Sequence, residues 1–352
     1  MVMWMILGLY ALYRWRQTQK WHWAIFAGLF AGMAILTKVI IVYILGLFAI
    51  VIVLLDTNGK LISTRRVLRN PQVWTMVLLM VLPILIFYLF GREARAAQYF
   101  TSWTISLSHL LLEPTQYIRW FNMLVELMGL AALVLSVIGV TLADSNGGNS
   151  VRPLMIALLM GYILYGLTLP YQMATHSYYH LQLVPILAIC FAPVVLPVQE
   201  HLSRQQWYWK ALAICGLLAG LGFYLWTSYF TLSDENFRDA PAYWAEIGEQ
   251  LPTDGKVVAL TQDYGFPLAY YGWRKVTLWP IAGERQLDIL RGKGKTFEEY
   301  FLKNTKDKSY FLITAFNQLD RQPDLKMHLE QNYPVLAQDE NYVIYNLHTA
   351  SP

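Results

Sequence analysis

The stretch WAIFAGLFAGMAILTKVIIVYILGLFAIVIVLL, from Trp23 to Leu55, holds a single charged residue, Lys38, in 33 positions. A helix that crosses a bilayer needs about 20 predominantly apolar residues. The stretch is too long for one helix and slightly short for two ideal ones. It predicts two short or tilted helices that turn near Thr37 and Lys38. A lysine at the bilayer centre costs about 2.5–3.5 kcal/mol on an insertion scale. At a turn near the surface its stem can snorkel while its ammonium reaches the headgroups. Two roles stay open on these grounds. Lys38 is an interfacial anchor, or it faces an anionic group such as a lipid phosphate, approached across the small residues Gly28, Ala31, Gly32 and Ala34.

The rest of the chain has the same character. It is 56% hydrophobic and only 14% charged, where a soluble globular chain carries about 25% charged residues. Thirteen Trp and 23 Tyr supply the aromatic load of membrane interfaces. The expected fold class is an α-helical polytopic membrane protein with about eight membrane segments. They fall at 2–13, 22–37, 39–55, 72–90, 121–142, 153–171, 178–197 and 208–230. In the first, Arg14 and Arg16 follow the apolar run, the reverse of a signal peptide, so it reads as the end of a helix that begins earlier. The net charge of +4 is small and the basic residues are scattered or sit at segment ends, which excludes a nucleic-acid surface. Cys190 and Cys215 lie in apolar runs, against a disulfide framework or a thiolate metal site.

Charge bias orients the segments. Arg14, Arg16, Lys20, Lys60, Arg65, Arg66, Arg69, Arg152, Arg204 and Lys210 fall on one face if the segments alternate, and only Lys38, Arg92, Arg95 and Arg119 on the other. The richer face is cytoplasmic by the positive-inside rule. The other face receives Lys38, the loop 91–120 with its candidate acid–base groups Glu93, His109 and Glu113, the stretch THSYYH at 175–180, and the tail. The organisation expected is a transmembrane region over 1–230 and an extracytoplasmic soluble α/β domain over 231–352. That tail holds 13 of the 27 basic and 17 of the 23 acidic residues. AYWAEIGEQLP, FPLAYYGWR and TFEEYFLKN read as helices, and KVVALTQ, KVTLWP, KSYFLITA and NYVIYNL as strands. No Gly-rich nucleotide loop follows any of them, and no HExxH or Cys cluster is present.

The segment GLFAGMAILTK (28–38) resembles the G-x-x-x-G-x-a-x-L-T-K element of the polytopic lipid-linked-sugar glycosyltransferases of the GT-C type, which include aminoarabinose transferases and protein O-mannosyltransferases. THSYYHLQLVPILAI (175–189) is similar to the outer-loop element with which the same family enters a late span. The tail opening PAYWAEIGEQLPTDGKVVALTQDYGFPLAYYGWR resembles its extracytoplasmic domain. The resemblance implies a GT-C-like bundle in the inner (plasma) membrane and transfer of a sugar from a polyprenyl-phosphate donor to an acceptor on the extracytoplasmic side. No cofactor or metal is implied beyond that donor. It assigns Lys38 to the phosphate, Tyr178 and Tyr179 to stacking on sugar or lining the acceptor path, and His176 and His180 to phosphate or hydroxyl groups. Family members carry a catalytic acid in a first extracytoplasmic loop that precedes the L-T-K segment by several spans. Nothing acidic precedes Asp56 here. The chain therefore reads as a C-terminal portion lacking its N-terminal half, with that half or a separate subunit as a partner alongside membrane lipid and lipid-linked sugar. The competing readings are a transporter or flippase for a lipid-linked substrate, and a non-catalytic membrane subunit.

Overall fold

The computed structural model describes residues 1–56, 58–90, 102–143, 151–234, 236–253 and 255–348. The chain is mostly helical with a small C-terminal sheet. Its contacts divide it into two units, Met1–Ala213 and Ile214–Pro352.

The first unit contains α1 (Val2–Thr18), α2 (Trp21–Thr37), α3 (Val42–Leu54), α4 (Thr64–Leu68), α5 (Pro71–Phe90), α6 (Pro114–Met128), α7 (Leu130–Leu142), α8 (Arg152–Thr168), α9 (Pro170–Thr175) and α10 (Leu183–Ser203). Helix α2 packs on α1 and α5, α3 on α8, and α7 on α10. The interior is an unbroken apolar cluster that takes in Met5, Leu12 and Trp15 of α1, Ala27, Ala31 and Ala34 of α2, and Ile44 and Leu45 of α3. Two of these contacts are backbone on backbone. A Cβ on Gly28 would stand 2.7 Å from Leu79 Cβ and 2.9 Å from Met76 O, and one on Gly161 would stand 2.6 Å from Ile44 Cα. Only a hydrogen fits at either place.

The apolar stretches become mostly helix, with differences from the sequence reading; 153–171, for one, breaks at Leu169 between α8 and α9. Helix α1 does not end at residue 13 but runs on through Arg14 and Arg16 to Thr18, because Arg16 finds an acceptor in the carbonyl of Asp56. The stretch 121–142 is not one straight crossing. It is bent by 94° between α6 and α7, at Gly129 with φ 77 and ψ 140. A side chain is strained at that φ, and the amphipathic residues before it and the mostly apolar residues after it take different directions. The stretch 178–197 opens with a 3-10 turn, Ser177–His180, before α10. By length and composition, two helices among the described residues are apolar enough to cross a membrane, Ser177–Ser203 and Trp207–Asp234, or three if the bent pair is counted as one. Trp21–Thr37, Val39–Leu54 and Arg152–Thr168 are apolar but shorter. Glu93 and the turn DSNGGNS lie outside the described residues.

The division between the units falls inside α11 (Trp207–Asp234), which buries no residue. The second unit then builds α12 (Ala240–Gln250), β1 (Val257–Leu260), α13 (Phe266–Tyr271), β2 (Thr277–Leu278), α14 (Ala282–Leu290), α15 (Phe297–Thr305), β3 (Tyr310–Ile313), α16 (Phe316–Asp320), α17 (Pro323–Asn332), β4 (Val335–Gln338) and β5 (Val343–Asn346). The sheet order is β2-β1-β3-β5-β4, with β1 parallel to β2 and β3 and the last two pairings antiparallel. Strand residues alternate between two cores, as the two-residue period requires. Val258, Leu260, Phe311 and Ile313 pack with Trp279, Phe301 and Leu329 on one face. Val257, Ala259 and Leu312 pack with Trp244, Ile247 and Leu268 on the other. Arg285 closes one edge with a two-pronged bond to Asp324 at 2.9 and 2.5 Å, which holds the Asp324 carboxyl below its usual range.

Candidate functional site

The chain leaves the helical path at Lys38. Thr37 turns its hydroxyl back to Met33 O at 2.8 Å, and the chain resumes as a 3-10 turn at Val39. Lys38 takes φ −155 and ψ 104 between α2 and the 3-10 turn Val39–Ile41. Its side chain then meets three tyrosines. Nζ lies 3.4 Å from the ring centre of Tyr179, 5.8 Å from that of Tyr178 and 5.9 Å from that of Tyr165. A cation within about 6 Å of an aromatic face gains roughly 0.5–2 kcal/mol, more as water is excluded. Among the described residues Lys38 has no carboxylate partner. Burial lowers its pKa to about 8, and no neighbouring charge opposes that shift.

His176 joins the same cluster. Its ring centre is 5.5 Å from that of Tyr178 and 5.9 Å from that of Tyr179. The Thr175 hydroxyl donates its one proton to Tyr171 O at 2.7 Å. The 2.7 Å contact from Thr175 Oγ1 to His176 Nδ1 is therefore donated by the imidazole, which leaves Nε2 an acceptor. Burial and, second, the charge of Lys38 lower the His176 pKa. The ring stays neutral beside the ammonium.

His180 has a different role from the one expected. It is fully buried. The carbonyl of Met173 only accepts, so the 3.0 Å bond is donated by Nε2. Nδ1 then accepts from the Tyr162 hydroxyl at 2.6 Å, and that hydroxyl accepts from Trp120 Nε1 at 3.4 Å. The chain of donors Trp120, Tyr162, His180, Met173 uses both ring nitrogens, so His180 ties the 3-10 turn to α8 and α9 and offers nothing to a ligand. The small residues of α2 are corrected likewise. Gly28 and Gly32 receive the backbone of α5, and Ala31 and Ala34 are buried, so no anionic group approaches over that face.

The structure thus gathers Lys38, His176, Tyr178 and Tyr179 and sets His180 behind them. It adds two residues. Tyr165 is fully buried, and its hydroxyl interacts with the side chain of Gln182. Gln182 also donates through Nε2 to Tyr179 O. The sequence signal for Tyr165 is the pair Tyr162 and Tyr165, three apart in an apolar helix, each with a polar end that needs a partner when buried. His109 and Glu113 are exposed, and Glu113 stands at the N-cap position of α6 without a side-chain capping bond. A groove of about 460 Å³ with mostly apolar walls, among them Trp120, Tyr162, Ile163, Leu183 and Leu187, is lined by none of the cluster residues. Comparison with family models, with curated proteins and with solved structures returns no match.

Proposed function

We propose that this chain is part of a polytopic inner-membrane glycosyltransferase of the GT-C type, which moves a sugar from a polyprenyl-phosphate donor to an acceptor on the extracytoplasmic side. The observation that carries the reading is Lys38: one ammonium, backed by three tyrosine rings and, among the described residues, without a carboxylate. A phosphate suits an ammonium so placed, through a charge-assisted bond. The donor's phosphate is the leaving group, and the cation stabilises the charge that develops on it. Tyr178 is 55% exposed and offers a face for a sugar ring. The lone pair of His176 Nε2 suits a hydroxyl hydrogen and repels a phosphate oxygen, so His176 belongs with the sugar or the acceptor.

A second reading, a protein that binds and translocates a lipid-linked substrate without transfer, is favoured by the absence of any carboxylate acting on Lys38 among the described residues. One experiment separates them. Sugar transfer from a defined polyprenyl-phosphate donor is measured in detergent, in the complete or complemented protein, together with donor binding. Lys38→Met keeps the stem and removes the charge. It is expected to lower both by roughly 10- to 150-fold, the value of a charge-assisted hydrogen bond, with Lys38→Arg intermediate. Equal rates and binding for wild type and Lys38→Met reduce Lys38 to an interfacial anchor. Lost binding with no transfer in the wild type favours translocation.

A further inference from the structure

At the other end of α2, about 25 Å away at 1.5 Å per residue, two cavities open side by side. One of about 470 Å³ is lined by Trp15, Arg16, Gln19, Asp56, Arg66 and Asn70 among others. The second, of about 430 Å³, exposes no polar atom and is bounded by residues that include Ala27, Leu45, Gly46, Ile50 and Met76. Val53, Val67 and Val73 line both, so the polar mouth opens directly onto the apolar slot. Arg16 is 8% exposed. It donates through one terminal nitrogen to Asp56 O, and its buried Nε has no partner. Asp56 acts on Arg16 electrostatically, but its Oδ1 already accepts from the backbone N–H groups of Asn58 and Lys60 at 2.9 and 2.8 Å. Among the described residues neither Arg16 nor Arg66 is in a salt bridge.

We propose that this end of the first unit binds one molecule of an anionic phospholipid, with an acyl chain in the apolar slot and the phosphodiester against Arg16 and Arg66. A buried guanidinium N–H without an acceptor is costly, and a phosphate oxygen is the acceptor that its planar fork fits best. An apolar cavity of this size stays dry and takes an apolar guest. A net-anionic lipid is selected over a zwitterionic one because the second headgroup charge would be an ammonium facing Arg16, Arg66 and the nearby Lys20, Lys60, Arg65 and Arg69. The site is independent of Lys38 and of the glycosyltransferase reading, since its readout is lipid binding and not transfer.

The test uses the full chain in a neutral detergent. Native mass spectrometry and the unfolding temperature are followed on adding phosphatidylglycerol, phosphatidylcholine with the same acyl chains, or inorganic phosphate. One phosphatidylglycerol is expected to bind and to raise the unfolding temperature, phosphatidylcholine roughly tenfold more weakly, and phosphate alone with no effect. Arg66→Gln, at an exposed position where folding is not at stake, weakens phosphatidylglycerol about tenfold, one charge-assisted bond. Gly46→Leu fills the slot: a Cβ there meets only Val42 Cγ2, at 3.9 Å. It abolishes one-to-one lipid binding and leaves the lipid-free unfolding temperature unchanged. Equal binding of the two lipids, or phosphatidylglycerol binding unaltered in both variants, overturns the proposal. So does inorganic phosphate that reproduces the full stabilisation, because the site then holds a free anion and no lipid.

Discussion

Lys38 is held by aromatic faces where a surface lysine would have water or a carboxylate, and this fixes how it responds to pH. Its pKa of about 8 comes from burial, against about 10.4 for a free lysine. The charged form is the one that binds phosphate, so donor affinity is expected to fall as pH rises through about 8, well before an ordinary lysine would respond. A donor dissociation constant that is flat between about pH 7 and 9.5 refutes this. The stability effect has the opposite sign. Between the two pKa values the unfolded chain binds more protons, so this group alone makes the folded state more stable as pH rises through that window. His180 gives the contrasting case. Tyr162→Phe removes the donor to a buried ring nitrogen, which costs about 1–3 kcal/mol. A lowered unfolding temperature with donor affinity nearly unchanged is expected. If affinity falls and stability does not, His180 is a ligand after all. The sequence offered His176 and His180 as equals, four residues apart. Only the packing distinguishes them, because burial of one and not the other depends on where α8 brings Tyr162.

At the scale of helices and strands, the apolar runs were legible because their length and uniform hydrophobicity leave few alternatives to helix. The bend at Gly129 was not, since a glycine inside an apolar run looks the same whether it is helical or takes a φ of 77. The tail strands β1, β3 and β5 were readable from β-branched and aromatic residues that are buried. Strand β4 was missed: it lies at the sheet edge, three of its four residues are exposed, and Pro334 precedes it. The close helix contacts make a prediction of their own. Gly161→Leu forces a side chain into the backbone of α3 at Ile44 and is expected to cost about 3 kcal/mol. Gly216→Ala, in α11, meets nothing within 4 Å and should be neutral or slightly stabilising, since alanine is the better helix former. Unfolding temperatures in the same detergent compare the two. Similar values for both variants would mean that α3 and α8 are not packed as described.

The whole molecule raises the question of which way its ends face. The two cationic features of the first unit stand at opposite ends of α2: Arg16 beside Lys20 at its start, Lys38 at its finish. If the apolar segments alternate across a membrane, the basic residues of the loops fall ten against four, and the positive-inside rule would put the richer face in the cytoplasm. Of the four on the poorer face, Lys38 is held against its tyrosines. An orientation reporter fused after Asn236 is therefore expected to be active only outside the cytoplasm, and one fused at Asn149 only inside. The pair decides more than direction. If both report as expected, Lys38 and its tyrosines face the compartment in which lipid-linked sugars are consumed by the proposed reaction, and the arginine-lined slot faces the leaflet richer in anionic lipid. If the tail reporter works only in the cytoplasm, the positive-inside sorting is inverted. The transfer reaction then loses its outer-face site, while the lipid slot keeps its chemistry and changes only its leaflet.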